Sequence, residues 1–127
     1  MEKIGLVLEG GGLRGAYTSG ALAWLSDHNI EFDYGVGISS GAVYLTCVAM
    51  KDKHTPYDMS VHYACESQNV GLQALIKEGH YVAYDRIFNV DLKEKSHFTI
   101  EPLLKEKPNI EIGAYVLEHG RTEYFGP

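Results

Sequence analysis

The chain alternates short unbroken apolar runs with longer stretches in which apolar residues recur at helical spacing. Residues 4–8, Ile-Gly-Leu-Val-Leu, form one continuous run, the pattern of a strand covered on both faces. Between 14 and 27 the positions Ala16, Tyr17, Gly20, Ala21, Trp24 and Leu25 fall on one stripe of a helix, with Trp24 in the core and Asn29 at its end. Residues 32–38 read as a second strand, and 42–50 as a very apolar helix with charge only at its far end. Strand, helix, strand, helix without a hairpin signal predicts a parallel sheet joined by right-handed crossovers.

The middle of the chain is harder to read. Residues 57–70 have a helical pattern that 72–77 continues after Gly71, and Thr99 is placed to cap a short helix with Pro102 in its first turn. Residues 110–117 and 122–125 are strands joined by a turn at Glu118-His119-Gly120, together a hairpin. The fold class is therefore α/β, a parallel-dominated sheet flanked by helices. So few strands make a thin domain whose last hairpin lacks neighbours. Residues 1–127 are accordingly read as the N-terminal portion of a single domain, incomplete at its C-terminus.

Composition narrows the function. With 127 residues, 45% hydrophobic and 22% charged, there is apolar mass for one core. A net charge of −6 offers no nucleic-acid surface and no general attraction to anionic lipid, so any membrane contact has to be apolar and local. The N-terminus lacks the apolar length of a signal peptide, and the uncharged run 35–50 is broken by Ser and Gly before it can span a bilayer. Cys47 and Cys65 lie in apolar surroundings without metal-ligand spacing. They read as two buried free thiols of a cytoplasmic protein. No His pair has metal spacing either, so neither a metal nor another cofactor is expected.

Two glycine clusters carry the chemistry. In Gly37-Ile38-Ser39-Ser40-Gly41 a serine stands between a strand and a helix, with glycines two residues away on each side. This is the spacing of a nucleophile elbow, in which a crowded turn lifts the serine oxygen clear of the sheet and needs its flanking side chains removed. The Ser40 amide and the dipole of the following helix then face a developing oxyanion. A tight structural crossover would use the same residues. Upstream, Gly10-Gly11-Gly12-Leu13-Arg14-Gly15 also follows a strand and opens a helix, leaving backbone N–H groups free at the same sheet edge. The run formally satisfies a dinucleotide fingerprint, so a nucleotide-binding module is an alternative. That reading wants an acid at the C-terminal end of the second strand, whereas Glu31 and Asp33 stand at its start. A nucleophile facing glycine amides, with Arg14 to hold an anion, is the arrangement acyl transfer requires.

The order Gly-Gly-Gly-x-Arg-Gly followed one βα unit later by Gly-x-Ser-x-Gly resembles the patatin-like phospholipases, specifically their bacterial branch. The resemblance implies a serine acyl-ester hydrolase acting on phospholipids or neutral lipids, with transient contact at a membrane surface. It implies Ser39 as nucleophile, Gly10, Gly11, Gly12, Arg14 and Ser40 around the oxyanion, and Gly15, Gly37 and Gly41 as motif glycines. The family pairs its serine with an Asp in an Asp-Gly motif. Here the six Asp residues precede His28, Tyr34, Lys53, Met59, Arg86 and Leu92, so that base is absent and this chain alone is expected to be inactive. A Ser–Asp–His order could be filled by Asp85 or Asp91 with His97 or His119, although nothing marks them as a site. Tyr81, Tyr84, Ile87 and Phe88 could line an acyl pocket or lid, or be ordinary aromatic and aliphatic packing. A non-catalytic interaction domain of the same descent, and pairing of two copies through the exposed last strand, complete the expectations.

Overall fold

A computed structural model describes residues 2–127. Its centre is a four-stranded sheet in the order β1 (Gly5–Leu8), β2 (Tyr34–Ile38), β3 (Ile110–Val116), β4 (Arg121–Phe125). The first two pairings are parallel and the third is an antiparallel hairpin, which is the α/β, mostly parallel arrangement read from the sequence. β2 is internal, so the turn that leaves it emerges between two hydrogen-bonded neighbours and cannot drift.

Helices α1 (Gly15–Asp27) and α2 (Ser40–Ala49) follow β1 and β2. Shorter helices α3 (His54–Tyr57), α4 (Leu72–Glu78), α5 (Tyr84–Arg86) and α6 (Glu101–Glu106) lie between α2 and the hairpin. The core unites Leu6, Leu8, Leu22, Tyr44, Leu45, Leu103 and Ile110. Register explains which residues join it: Leu6 and Leu8 pair with Gly35 and Gly37, and Gly35 pairs with Ile110, so all five share one sheet face. The glycines matter there, because a Cβ at Gly35 would sit 2.5 Å from Leu45 Cδ1. α2 thus lies directly on the strand backbone.

The opposite face departs from the sequence expectation. Val7, Tyr34, Ile38, Tyr115 and Tyr124 share it and all are exposed, Val7 by 75%. The apolar run 4–8 has the composition of a strand covered twice, but among the described residues only one layer covers it. Trp24 is likewise 56% exposed and stacks on His28 at 3.9 Å instead of entering the core. The stretch 57–70 is not one helix either. After α3 it forms π-type turns over Asp58–His62, a 3₁₀ turn over Tyr63–Cys65 and then an irregular segment.

That irregular segment is fixed by a polar cluster. Asn69 and Asp91 are both fully buried, and Asn69 Nδ2 donates to Asp91 Oδ2 at 2.5 Å. Arg86 Nε donates to Asn69 Oδ1 at 3.0 Å, and Lys95 Nζ lies 2.6 Å from Asp91 Oδ1. Glu66 pairs with both Arg86 and Lys95, and the nearby Lys95 ammonium holds its carboxyl below the usual carboxylate range. Together with the buried Ala74, Ala83 and Leu92, these hydrogen bonds and ion pairs hold 66–95 in one arrangement.

Candidate active site

Ser39 is the last residue before α2, with φ 55° and ψ −127°. A side chain in that region is strained, and it persists only where the surroundings dictate the turn. The surroundings are backbone. A Cβ on Gly37 would lie 2.7 Å from the Gly41 carbonyl oxygen and 2.9 Å from Ala42 Cα. One on Gly41 would collide with the Leu8 carbonyl oxygen and lie 2.6 Å from that of Glu9. The ends of β1 and β2 and the first turn of α2 therefore touch with no side chain between them. Gly15 does the same for α1, where a Cβ would meet the ring of Tyr44 at 2.5 Å.

The Ser39 hydroxyl is left unused by this packing. A serine at a helix N-cap ordinarily accepts a bond from the helix amides, yet Ser39 makes no capping bond. The residue is exposed at the sheet's C-terminal edge. Beside it runs the glycine loop, since a Cβ on Gly10 would fall 2.9 Å from Ser39 Cβ and 3.5 Å from its Oγ. Gly11 N–H donates to Ser40 Oγ at 3.1 Å, tying the loop to the residue after Ser39. Gly12 has φ 55° and opens a short 3₁₀ turn through Arg14. Among the described residues the amides of Gly12, in the glycine loop, and Ser40, directly after Ser39, donate to no backbone acceptor. Arg14 is exposed and folds back along Gly11, with Nε 3.9 Å from the position a Gly11 Cβ would take.

The other candidates lie elsewhere. Asp91 is committed to Asn69 and Lys95, and His119, in the hairpin turn, bonds Glu123 Oε1 at 2.6 Å. Among the described residues no carboxylate or imidazole hydrogen-bonds Ser39. Asp33 Oδ2 accepts from the Ile4 amide at 2.7 Å at the start of β2, the end of the strand opposite the glycine loop. Tyr84 and Phe88 stack at 6.5 Å, and two shallow hollows lined by Glu78, His80, Val82, Tyr84 and Asp85, and by Phe88, His97 and Ile100 among others, do not include Ser39. Cys47 is buried, and burial first, with Asp52 second, pushes its thiol up to about 12, whereas Cys65 is exposed, against the expectation of two buried thiols.

The sequence model of the patatin-like phospholipases matches residues 6–91, from β1 through both glycine clusters to Asp91. The chain belongs to this family. No curated protein and no solved structure matches it. The matched span includes the strand–turn–helix at Ser39 and the glycine loop. The buried polar cluster was not visible beforehand, because Asn69 and Asp91 look like any two loop polar residues in the sequence. No helix among the described residues is long and apolar enough to cross a membrane, and no three His, Cys, Asp or Glu side chains there gather as a metal site.

Proposed function

We propose that Ser39 is the nucleophile of a lipid acyl-ester hydrolase whose oxyanion is held by the glycine loop and the start of α2. The observation that carries this reading is a strained serine with an unused hydroxyl, at a helix N-terminus and beside the glycine loop. Ser39 Oγ attacks the ester carbonyl carbon while its proton passes to a base. The carbonyl oxygen takes the negative charge and accepts hydrogen bonds from the Gly12 and Ser40 amides. Collapse expels the alcohol, and water later releases the acyl group from Ser39. Gly10 leaves room for the serine side chain, and the Gly11 amide, already bonded to Ser40 Oγ, positions the loop. Arg14 steadies that loop or a substrate phosphate.

The base is supplied from outside these residues, because no Asp is followed by Gly and none bonds Ser39. This chain alone therefore turns over esters slowly or not at all. An unpaired buried thiol and an unpaired exposed one support a reducing, cytoplasmic setting.

A fluorophosphonate probe followed by mass spectrometry tests the site. The expected result is one slow adduct, on Ser39, absent in Ser39→Ala, forming about tenfold faster per pH unit as hydroxide stands in for the base. Arg14→Ala should slow it further. No adduct, or one on another residue, in a chain folded by circular dichroism would overturn Ser39 as nucleophile. Steady ester turnover lost in Ser39→Ala would overturn the missing base.

A further inference from the structure

Helix α4 is inside out for a soluble domain. Its alanine, Ala74, is fully buried, while Leu72, Leu75 and Ile76 are exposed, Ile76 by 83%. Those three fall at i, i+3 and i+4, so they form one face, and it is the face turned away from the protein. Single exposed aliphatics need no explanation, but a helix that hides its methyl group and presents its large side chains does.

The segment that carries this face is built to hold it out. Val70 and Val82 form an antiparallel bridge that closes a loop around α4. Gly71 N–H donates to the Tyr81 carbonyl at 2.9 Å, and Ala83 N–H to that of Asn69 at 2.8 Å. Gly71 at φ 115° and Gly79 at φ 76° make the corners at the two ends of the helix. The loop's first bridge residue follows Asn69, which is buried and bonded to Asp91 and Arg86, so the neck of the loop is anchored there.

Exposed tyrosines accompany this aliphatic face: Tyr81, whose carbonyl accepts from the Gly71 amide next to Leu72, and Tyr84. Exposed aliphatic side chains with tyrosines beside them are the side-chain types that settle at a lipid–water boundary. Charge selects the kind of surface. Within 70–82 the formal charges are Lys77 and Glu78, which cancel, on a chain of net −6. Such a surface gains nothing from anionic headgroups and suits electrically neutral ones.

We infer that the 70–82 loop is a docking element by which this protein settles on a zwitterionic lipid surface, inserting Leu72, Leu75 and Ile76 among the acyl chains. The choice of lipid over another apolar partner rests on the lipid acyl hydrolase reading above. The experiment keeps the two separable, because docking is read in a variant that cannot use Ser39.

Ser39→Ala protein is mixed with phosphatidylcholine vesicles, and bound protein is measured by flotation. Binding is expected to be insensitive to salt and weakened when phosphatidylglycerol replaces part of the lipid. The double variant Leu72→Glu/Ile76→Glu, changed at exposed positions and checked for folding by circular dichroism, should partition about 100-fold less or weaker still. In a separate Trp24→Phe background, Ile76→Trp should show a blue-shifted emission only with vesicles. No flotation, equal flotation of the glutamate variant, or an unshifted indole emission from the Ile76→Trp variant would each overturn the inference. So would a lipid-free dimer that the glutamate variant dissociates, because the face would then belong to a second copy.

Discussion

Replacing Gly37 by Ala tests whether the Ser39 turn is imposed by backbone contact. The added methyl would have the Gly41 carbonyl oxygen at 2.7 Å, with Gly41 C and Ala42 Cα at 2.9 Å. All three are backbone atoms, so no rotamer change relieves the overlap, and either α2 lifts from β2 or the strand end shifts. Overpacking of this kind costs about 3 kcal/mol, the upper part of the usual range, since the neighbours cannot move aside. In a domain whose whole stability is about 5–15 kcal/mol, that lowers the melting temperature by roughly 10–15 °C. Gly20→Ala is the internal control. Gly20 lies on the exposed side of α1 with nothing within 4 Å of its missing Cβ, so the same methyl should stabilise by about 0.8 kcal/mol through helix propensity. Thermal melts followed by circular dichroism read both, and fluorophosphonate labelling of Ser39 should fall in Gly37→Ala at temperatures where it is still folded. A Gly37→Ala melt within about 2 °C of the parent, or equal losses for the two variants, would refute the reasoning.

Three further outcomes follow from the same structure. The Cys47 thiol is raised from 9.0 to about 12, so the folded state holds its proton longer than the unfolded chain. The stability this gives is complete below pH 9 and drains away as pH rises toward 12, by about 1.4 kcal/mol per pH unit, a slope that urea titrations should find flattened in Cys47→Ala. Asp91→Ala leaves the Asn69 amide and the Lys95 ammonium without their buried partner and should destabilise by about 3 kcal/mol, with amide exchange accelerating first in 66–95; unchanged protection there would refute the cluster's role. The free β4 edge, next to an apolar sheet face, should let two copies associate, and a single monomeric boundary in sedimentation velocity at the highest soluble concentration would exclude it.

The first third of the chain was legible because its signals are local. The run at 5–8, the glycines at 10–15 and the spacing around Ser39 each state a backbone requirement that neighbours in sequence impose, and β1, α1, β2 and α2 fell close to their expected limits. The closing hairpin was legible for the same reason. Between 57 and 98 only the helical pattern at 72–77 was legible, as α4; polar contacts between distant residues shape the rest, and Asn69 meeting Asp91 leaves no periodic trace. Val7 and Trp24 misled in another way. Apolar character records what a position tolerates covering it, and the cover itself is a property of other residues. At the site, spacing indicated the turn and the loop, but not that the Gly11 amide would be bonded to the Ser40 hydroxyl.

The left-handed geometry at Ser39 bears on how such a chain can drift over generations. A glycine at that position would relieve backbone strain of about 1–3 kcal/mol, a large share of a small domain's reserve. Random substitution erodes stability, so a lineage that no longer needed the hydroxyl would gain from giving it up. The serine is therefore carried at a cost to the fold, and Ser39→Gly melting higher than the parent would measure that cost directly.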